Sequence, residues 1–384
     1  MNSYLKSKRG SKTDPGQKYK TKHEPLIHIT KRTSVSKMAH LGYTLIAIAV
    51  ALVFCGLLVT AISGIDPIKV YVEMFKGTFG GEVTKLKSYH SVAILLAISL
   101  AVTPAFKMKF WNIGAEGQVL MGSLAATYVM LKFGPYLYES MLIALMFAAA
   151  ILAGMIWGLI PAIFKAIWNT NETLYTLMMN YVATTIVGYF IMVTDKSGHN
   201  NLGIINERTQ FGWLPRLFGK PYILNIIIIA VVTVIVYIYL KYSKQGYEIS
   251  VVGESRNTAK YVGINVKKVI IRTMAISGAI CGLTGILLVA GTPTPSMNPD
   301  LVGGQGFTAI LVSWMAKFNP LTMVLVSFLI VFMRDGGAAA TDALKIDASI
   351  GDVLTGIIIF AIIVCEFCIS YKINFRGTKK GENK

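Results

Sequence analysis

Apolar residues run in long, nearly unbroken stretches along the chain, with shorter polar segments between them. A helix needs roughly 20 residues to cross a hydrocarbon core about 30 Å thick. The stretches 41–63, 141–164, 173–193, 223–240, 270–290 and 350–370 approach that length. Shorter or interrupted runs at 90–106, 113–131, 301–316 and 320–333 bring the expected number of spans to ten. The pattern predicts an all-α, polytopic transmembrane helical bundle of about ten spans, some of them short or interrupted.

Composition agrees: 54% of the 384 residues are hydrophobic and 15% charged, a balance foreign to a water-soluble globule of this size. Membrane lipid is therefore the expected surrounding. A net charge of +18 would suggest nucleic acid in a soluble protein, but its distribution points elsewhere. Residues 1–40 hold ten Lys or Arg, the 241–272 connection seven and the segment after Ser370 five, against four each in the loops 64–89 and 194–222. Cytoplasmic segments accumulate Lys and Arg, so both termini and the 241–272 loop are expected on the cytoplasmic side of the cell membrane, with no nucleic-acid partner. An even number of spans fits that placement. The expected organisation is a basic, disordered cytoplasmic arm over 1–40, a transmembrane domain over 41–372 and a cytoplasmic tail over 373–384. The arm is too polar and too long to read as a cleavable signal.

Enzyme chemistry has little to stand on. No G-x-x-x-x-G-K-[ST] phosphate loop, H-E-x-x-H pair or G-x-S-x-G elbow occurs, and the five histidines are scattered. Neither a metal site nor a resident cofactor is expected. The four cysteines, Cys55, Cys281, Cys365 and Cys368, all fall in expected spans. The C-x-x-C pair at 365–368 lacks the polar, electropositive setting that makes a reactive thiolate, so inert thiols are the reading.

The informative residues are polar ones inside oily stretches, since a carboxylate in a span costs several kcal/mol unless it faces protein or water. In "NIGAEGQ", Asn112 is placed to cap a helix starting near Ile113, and Glu116 and Gln118 follow. Positions 114, 118, 122 and 126 then share one face, which would let another backbone approach closely. Glu116 either contributes to a solute site at an interrupted helix or bonds to a neighbouring helix near the cytoplasmic boundary. The fifth span carries Thr176, Asn180 and Thr184 with Gly188 on one stripe, as a pore lining or as glue between helices. Asn169 and Glu172 have the spacing of a capping box before it. Gly154, Gly158, Gly278, Gly282 and Gly285 have the spacing of helix contacts. "GGQGFTAILVSW" opens with glycines and Gln305, much as the 112–118 segment opens, and two Gly-broken segments in corresponding places point to a transport site. In the inner loop, Arg256–Tyr261 can form a short helix ended by Gly263, with Asn265 capping the next span; this is either a docking element or an ordinary turn of helix.

With these residues in view, residues 41–372 resemble the permease subunits of ATP-binding-cassette importers, in the nucleoside-type branch of the ribose/simple-sugar permease family. "NIGAEGQ" is similar to that branch's most distinctive motif; "MMNYVA" at Met178–Ala183 and "VGESRNTAKYVGI" at Val252–Ile264 are similar to two further family segments. Thr258 departs from the alanine more common in the family, as Thr308 and Ala309 depart from an Asp-Gly. The resemblance implies a transport subunit for nucleosides or related small polar solutes, with ATP used by a separate cytoplasmic ATPase. It also implies a second permease subunit, the same or homologous, and an extracellular substrate-binding lipoprotein. The residues expected along the substrate pathway are Asn112, Glu116, Gln118, Asn180, Gln305 and Thr308, of which the resemblance itself implies the first three; those expected in ATPase coupling are Glu254, Arg256, Ala259 and Gly263, in the inner loop it marks. Trp111 and Trp314 could stack on a base, or anchor the membrane interface. Competing readings are a secondary transporter using Glu116 as its ion-coupled group, a permease for a simple sugar, and a membrane scaffold with no solute path.

Overall fold

A computed structural model describes residues 27–31, 37–195, 198–347, isolated positions between 349 and 367, and 371–375. Twelve α-helices are bounded among the described residues, and six of them start at a side-chain cap. α1 (Lys37–Ser63) is followed by α2 (Pro67–Phe79), and the two meet at a bend of 109°. Asp66 caps α2 by accepting from Ile68 N at 2.9 Å, and Pro67 supplies a first residue already fixed near helical φ. α3 (Glu82–Lys107), α4 (Ala115–Phe133), α5 (Glu139–Trp168) and α6 (Glu172–Thr194) follow. After α7 (Ile223–Tyr242) come two short helices, α8 (Lys244–Glu254) and α9 (Arg256–Tyr261), then α10 (Val266–Val289). α11 (Gln305–Met315) and α12 (Pro320–Leu344) complete the series.

Six of these, α3, α5, α6, α7, α10 and α12, are long and apolar enough to cross a membrane, or seven spans if the bent α1–α2 pair counts as one. The chain is thus an all-α, multi-span membrane bundle, with six or seven spans among the described residues against the ten expected. α11 has 11 residues, too few for a crossing, and α4 opens on Glu116 and Gln118, which lower its apolarity. The expected span 350–370, with Cys365 and Cys368, lies largely outside the described residues.

The centre of the bundle is α3 and α10, whose most apolar windows are 83% and 61% buried, against 22% for α5. α4, α5 and α10 approach to backbone distance along the expected glycines. A Cβ on Gly122 would lie 2.5 Å from Gly282 Cα, and one on Gly154 would lie 2.6 Å from the same atom. On α6 one stripe is buried, Thr176, Asn180, Ala183, Val187 and Ile191, while Leu174, Met178, Tyr181 and Tyr189 are exposed.

Two helix starts differ from expectation. Asn169 does not open α6; it ends α5 in the left-handed conformation, at φ 51°, while Asn171 caps α6 by accepting from Thr173 N and Leu174 N. Glu172 instead pairs with Lys165 at 2.7 Å. Asn112 likewise is not the N-cap of α4, a position held by Gly114. Apart from the bundle, Ile27–Lys31 (β1) pairs antiparallel with Tyr371–Phe375 (β2), Ile27 facing Phe375 and Lys31 facing Tyr371. Residues 1–26 of the expected arm, and 376–384 of the expected tail, lie outside the described residues.

Candidate functional site

The first N–H groups of a helix have no partner within it, and hydrocarbon offers none. Two helices, α4 and α11, start inside the bundle, and the polar residues singled out by sequence gather around those two starts.

At α4, three residues from outside the helix supply the missing acceptors. Asn180, from α6, accepts from Gly117 N through Oδ1 at 2.9 Å and donates through Nδ2 to Ile113 O at 2.9 Å. Thr176, one turn earlier, accepts from Ile113 N at 3.2 Å. Asn112 accepts from Gly114 N and from Gln118 Nε2, both at 3.2 Å, and donates through Nδ2 to Ser277 Oγ of α10 at 3.1 Å. Asn112, Gln118 and Asn180 are buried, and Gln118 Oε1 has no protein partner. A Cβ on Gly117 would fall 3.0 Å from Asn180 Oδ1, so the bare backbone is what lets the amide in.

At α11 the acceptor is a single carboxylate. Glu116 accepts from Gly304 N through Oε1 at 2.8 Å and from Gly306 N through Oε2 at 3.3 Å. Gly303 and Gly304, at φ 58° and 72°, turn the chain through the left-handed region where glycine is favoured. Thr308 Oγ1 donates back to Gly304 O at 3.4 Å, and Gln305 Oε1 is buried without a protein partner. α11 is then fastened to α3 by Thr103 and Ser313, whose hydroxyls lie 2.6 Å apart, and by Ser313 Oγ donating to Ser99 O at 3.0 Å.

The indoles of Trp111 and Trp314 meet edge to face with centroids 5.2 Å apart, both half-exposed, over the buried ring of Phe106. Five of the expected pathway residues, Asn112, Glu116, Gln118, Asn180 and Gln305, therefore belong to one junction of α4, α6, α10 and α11, with Thr308 on the first turn of α11. Sequence reasoning missed Ser277 and the two amide donors; the "GGQG" run was the signal for the latter.

The coupling candidates form a separate group. Ser243 caps α8 by accepting from Gly246 N at 2.9 Å, Ser255 caps α9 from Thr258 N at 3.2 Å, and Asn265 caps α10 from Lys268 N at 3.1 Å. α9 covers the residues expected of it. Ala259 is buried against a cluster that includes Ala105, Met108, Ala162 and Met274, whereas Tyr261 and Val262 are exposed. Glu254 is exposed at the end of α8, Arg256 opens α9, and Gly263 leaves it at φ 80°. Glu248 and Arg272 tie α8 to α10 at 2.9 Å. Among the described residues, no group of three or more His, Cys, Asp or Glu could hold a metal ion.

Interrupted helices meeting inside an apolar bundle, with polar side chains collected at their starts, define a polytopic membrane protein of the transport type. The chain belongs to the family described as branched-chain amino acid transport system / permease component, which matches residues 86–363. It is 31% identical to a guanosine ABC transporter permease protein of Bacillus subtilis, over 91% of this chain and 100% of that one. It is 26% identical to a glucose ABC transporter permease protein of Haloferax volcanii, over 93% and 96% of the two chains. A nucleoside ABC transporter permease protein of Lactococcus lactis is 25% identical over 82% and 89%. The chain is accordingly a membrane permease component of an ABC-type importer family, related to both nucleoside-type and sugar-type permeases, and not a catalytic enzyme.

Proposed function

We propose that this chain is the permease subunit of an ATP-driven importer for nucleosides or closely related small polar solutes. The observation that carries the substrate class is the 31% identity to a guanosine permease protein over that protein's whole length. The "NIGAEGQ" segment, whose polar side chains build the α4 junction, supports it. In this mechanism an extracellular binding lipoprotein delivers solute to the outer mouth, and the permease, paired with a second copy or a homologue, opens alternately outward and inward. The route runs beside the α4–α11 junction. Glu116, Gln305 and Thr308 border it, while Asn112, Gln118 and Asn180 hold the α4 start behind it.

ATP hydrolysis takes place on a separate cytoplasmic ATPase. The segment from Glu254 to Gly263 is the piece that meets it: Ala259 roots α9 in the bundle, Arg256 and Glu254 offer charge, and Tyr261 and Val262 project an apolar tip. Both termini are cytoplasmic on this reading. The basic 1–40 segment supports that side, and the β1–β2 pairing supports a shared side for the two ends.

The 26% identity to a glucose permease protein over almost the full chain favours a second reading, in which the solute is a simple sugar. Uptake by the reconstituted complex of permeases, ATPase and binding protein separates the two. Labelled nucleosides should enter vesicles only with ATP supplied. Pentose or glucose uptake without nucleoside uptake would overturn the substrate class. Uptake that stops when ion gradients are collapsed, with ATP still present, would favour a secondary transporter.

A further inference from the structure

The N-cap residue of a helix ordinarily supplies the side chain that satisfies its first amides. At α11 that residue is Gly304, which has no side chain. The acceptor comes instead from Glu116, 188 residues earlier in the chain, and both of its oxygens are used: Oε1 by Gly304 N and Oε2 by Gly306 N. The fit is close. A Cβ on Gly306 would lie 2.8 Å from Glu116 N and 3.0 Å from Glu116 Cβ, so the first turn of α11 rests on the first turn of α4 with no side chain between them. Gln305 sits between the two bonded glycines, and its Oε1, without a protein partner, keeps hydrogen-bonding capacity.

A carboxylate bordering a solute route is an obvious candidate ligand for the solute. The geometry points to a different role: Glu116 is a positioning residue, a cap supplied across the bundle, which locks the start of α11 onto the start of α4 and thereby places Gln305. Solute contact at this junction falls to the Gln305 amide. A neutral solute suits that division, because the charge of Glu116 is already answered by two amides and by the positive end of the α11 dipole.

The test has two arms, and only the second rests on the importer reading. In the first, hydrogen–deuterium exchange is followed over residues 300–315 of the full chain, assembled with its partners in lipid nanodiscs. Glu116→Gln, which cannot accept from both amides, should speed exchange at Gly304 and Gly306 by tenfold or more. Glu116→Asp, which keeps the charge but shortens the reach, should show a smaller acceleration, and Gln305→Leu should leave it unchanged. Unchanged protection in both Glu116 variants overturns the proposal, and the Asp variant carries the arm if the Gln variant fails to assemble. In the second arm, ATP-driven nucleoside uptake by Glu116→Gln should lose Vmax by tenfold or more with KM within twofold, whereas Gln305→Leu should raise KM. A raised KM with Vmax kept in Glu116→Gln would make the carboxylate a solute ligand and overturn the assignment. If the unsubstituted complex moves no nucleoside, the importer reading falls while the exchange arm still decides the cap.

Discussion

Backbones come within touching distance in two parts of this bundle, and they are held there by different means. Along α4, α5 and α10 the contact is glycine against glycine: Gly122 and Gly154 both close on Gly282, and Gly285 would place a Cβ 2.5 Å from Val119 O. A side-chain bond, Ser123 Oγ donating to Gly285 O at 3.1 Å, also crosses that seam. Where α4 meets α6 and α11, the approach depends instead on a few directed hydrogen bonds accepted by Asn180, Thr176 and Glu116. Dispersion contacts are individually weak, roughly 0.1–0.2 kcal/mol each, and are lost only when the whole seam parts. A hydrogen bond can be broken singly and remade elsewhere. The seam therefore suits helices that move as one body, and the junction suits the place where such a body hinges against its neighbour.

The sharpest way to break this contrast is to put bulk into the seam. A side chain on Gly282 would overlap Ala150 O, and no rotamer change relieves a clash with backbone. Gly282→Leu should lose about 3 kcal/mol or more, the upper range for overpacking, and leave little monodisperse protein on size exclusion; a variant that melts normally would show that the seam gives way. At the junction, Gly306→Ala drives a methyl against Glu116 N and Cβ. Because a hydrogen-bonded contact can open slightly, the expected loss is smaller, about 1–3 kcal/mol, read as a lowered melting midpoint with protein still recovered. Equal losses at the two sites would erase the distinction between them.

The seam was legible in the sequence because small residues at helical spacing have one dominant use in a membrane. The helix starts were legible in kind but not in partner. Asn112, Glu116 and Asn180 stood out as polar groups that hydrocarbon cannot satisfy, yet nothing local showed that Glu116 serves amides 188 residues away. Local rules also failed where two candidates competed. Asn169 and Asn171 both precede Glu172, and only the backbone shows that the first ends α5 while the second begins α6. α9 was readable residue by residue, because Gly263 and Asn265 mark its end and the next start without tertiary help, while its own cap, Ser255, emerged from the structure. Among the described residues, α4 and α11 are the two expected runs that fall short of a crossing, α4 by its polar opening and α11 by its 11 residues.

Within the junction, Asn180→Leu removes an acceptor for Gly117 N and a donor to Ile113 O together. Interhelical hydrogen bonds in membranes are worth about 0.6–2 kcal/mol, so a loss near the upper end of that range is expected in thermal melting. Gly188 gives the smallest effect and completes the comparison. On spacing alone it continues the Thr176, Asn180 and Thr184 stripe and resembles the seam glycines. Yet the nearest atom to a Cβ placed there is Pro299 Cγ at 3.9 Å, an ordinary van der Waals contact. Gly188→Ala should therefore change the melting midpoint by no more than about 0.5 kcal/mol equivalent, and the better helix propensity of alanine could even raise it. A drop as large as that of Gly306→Ala would mean that α6 closes against the 291–304 segment more tightly than this conformation shows, and that the junction extends about two turns further along α6 than its hydrogen bonds indicate.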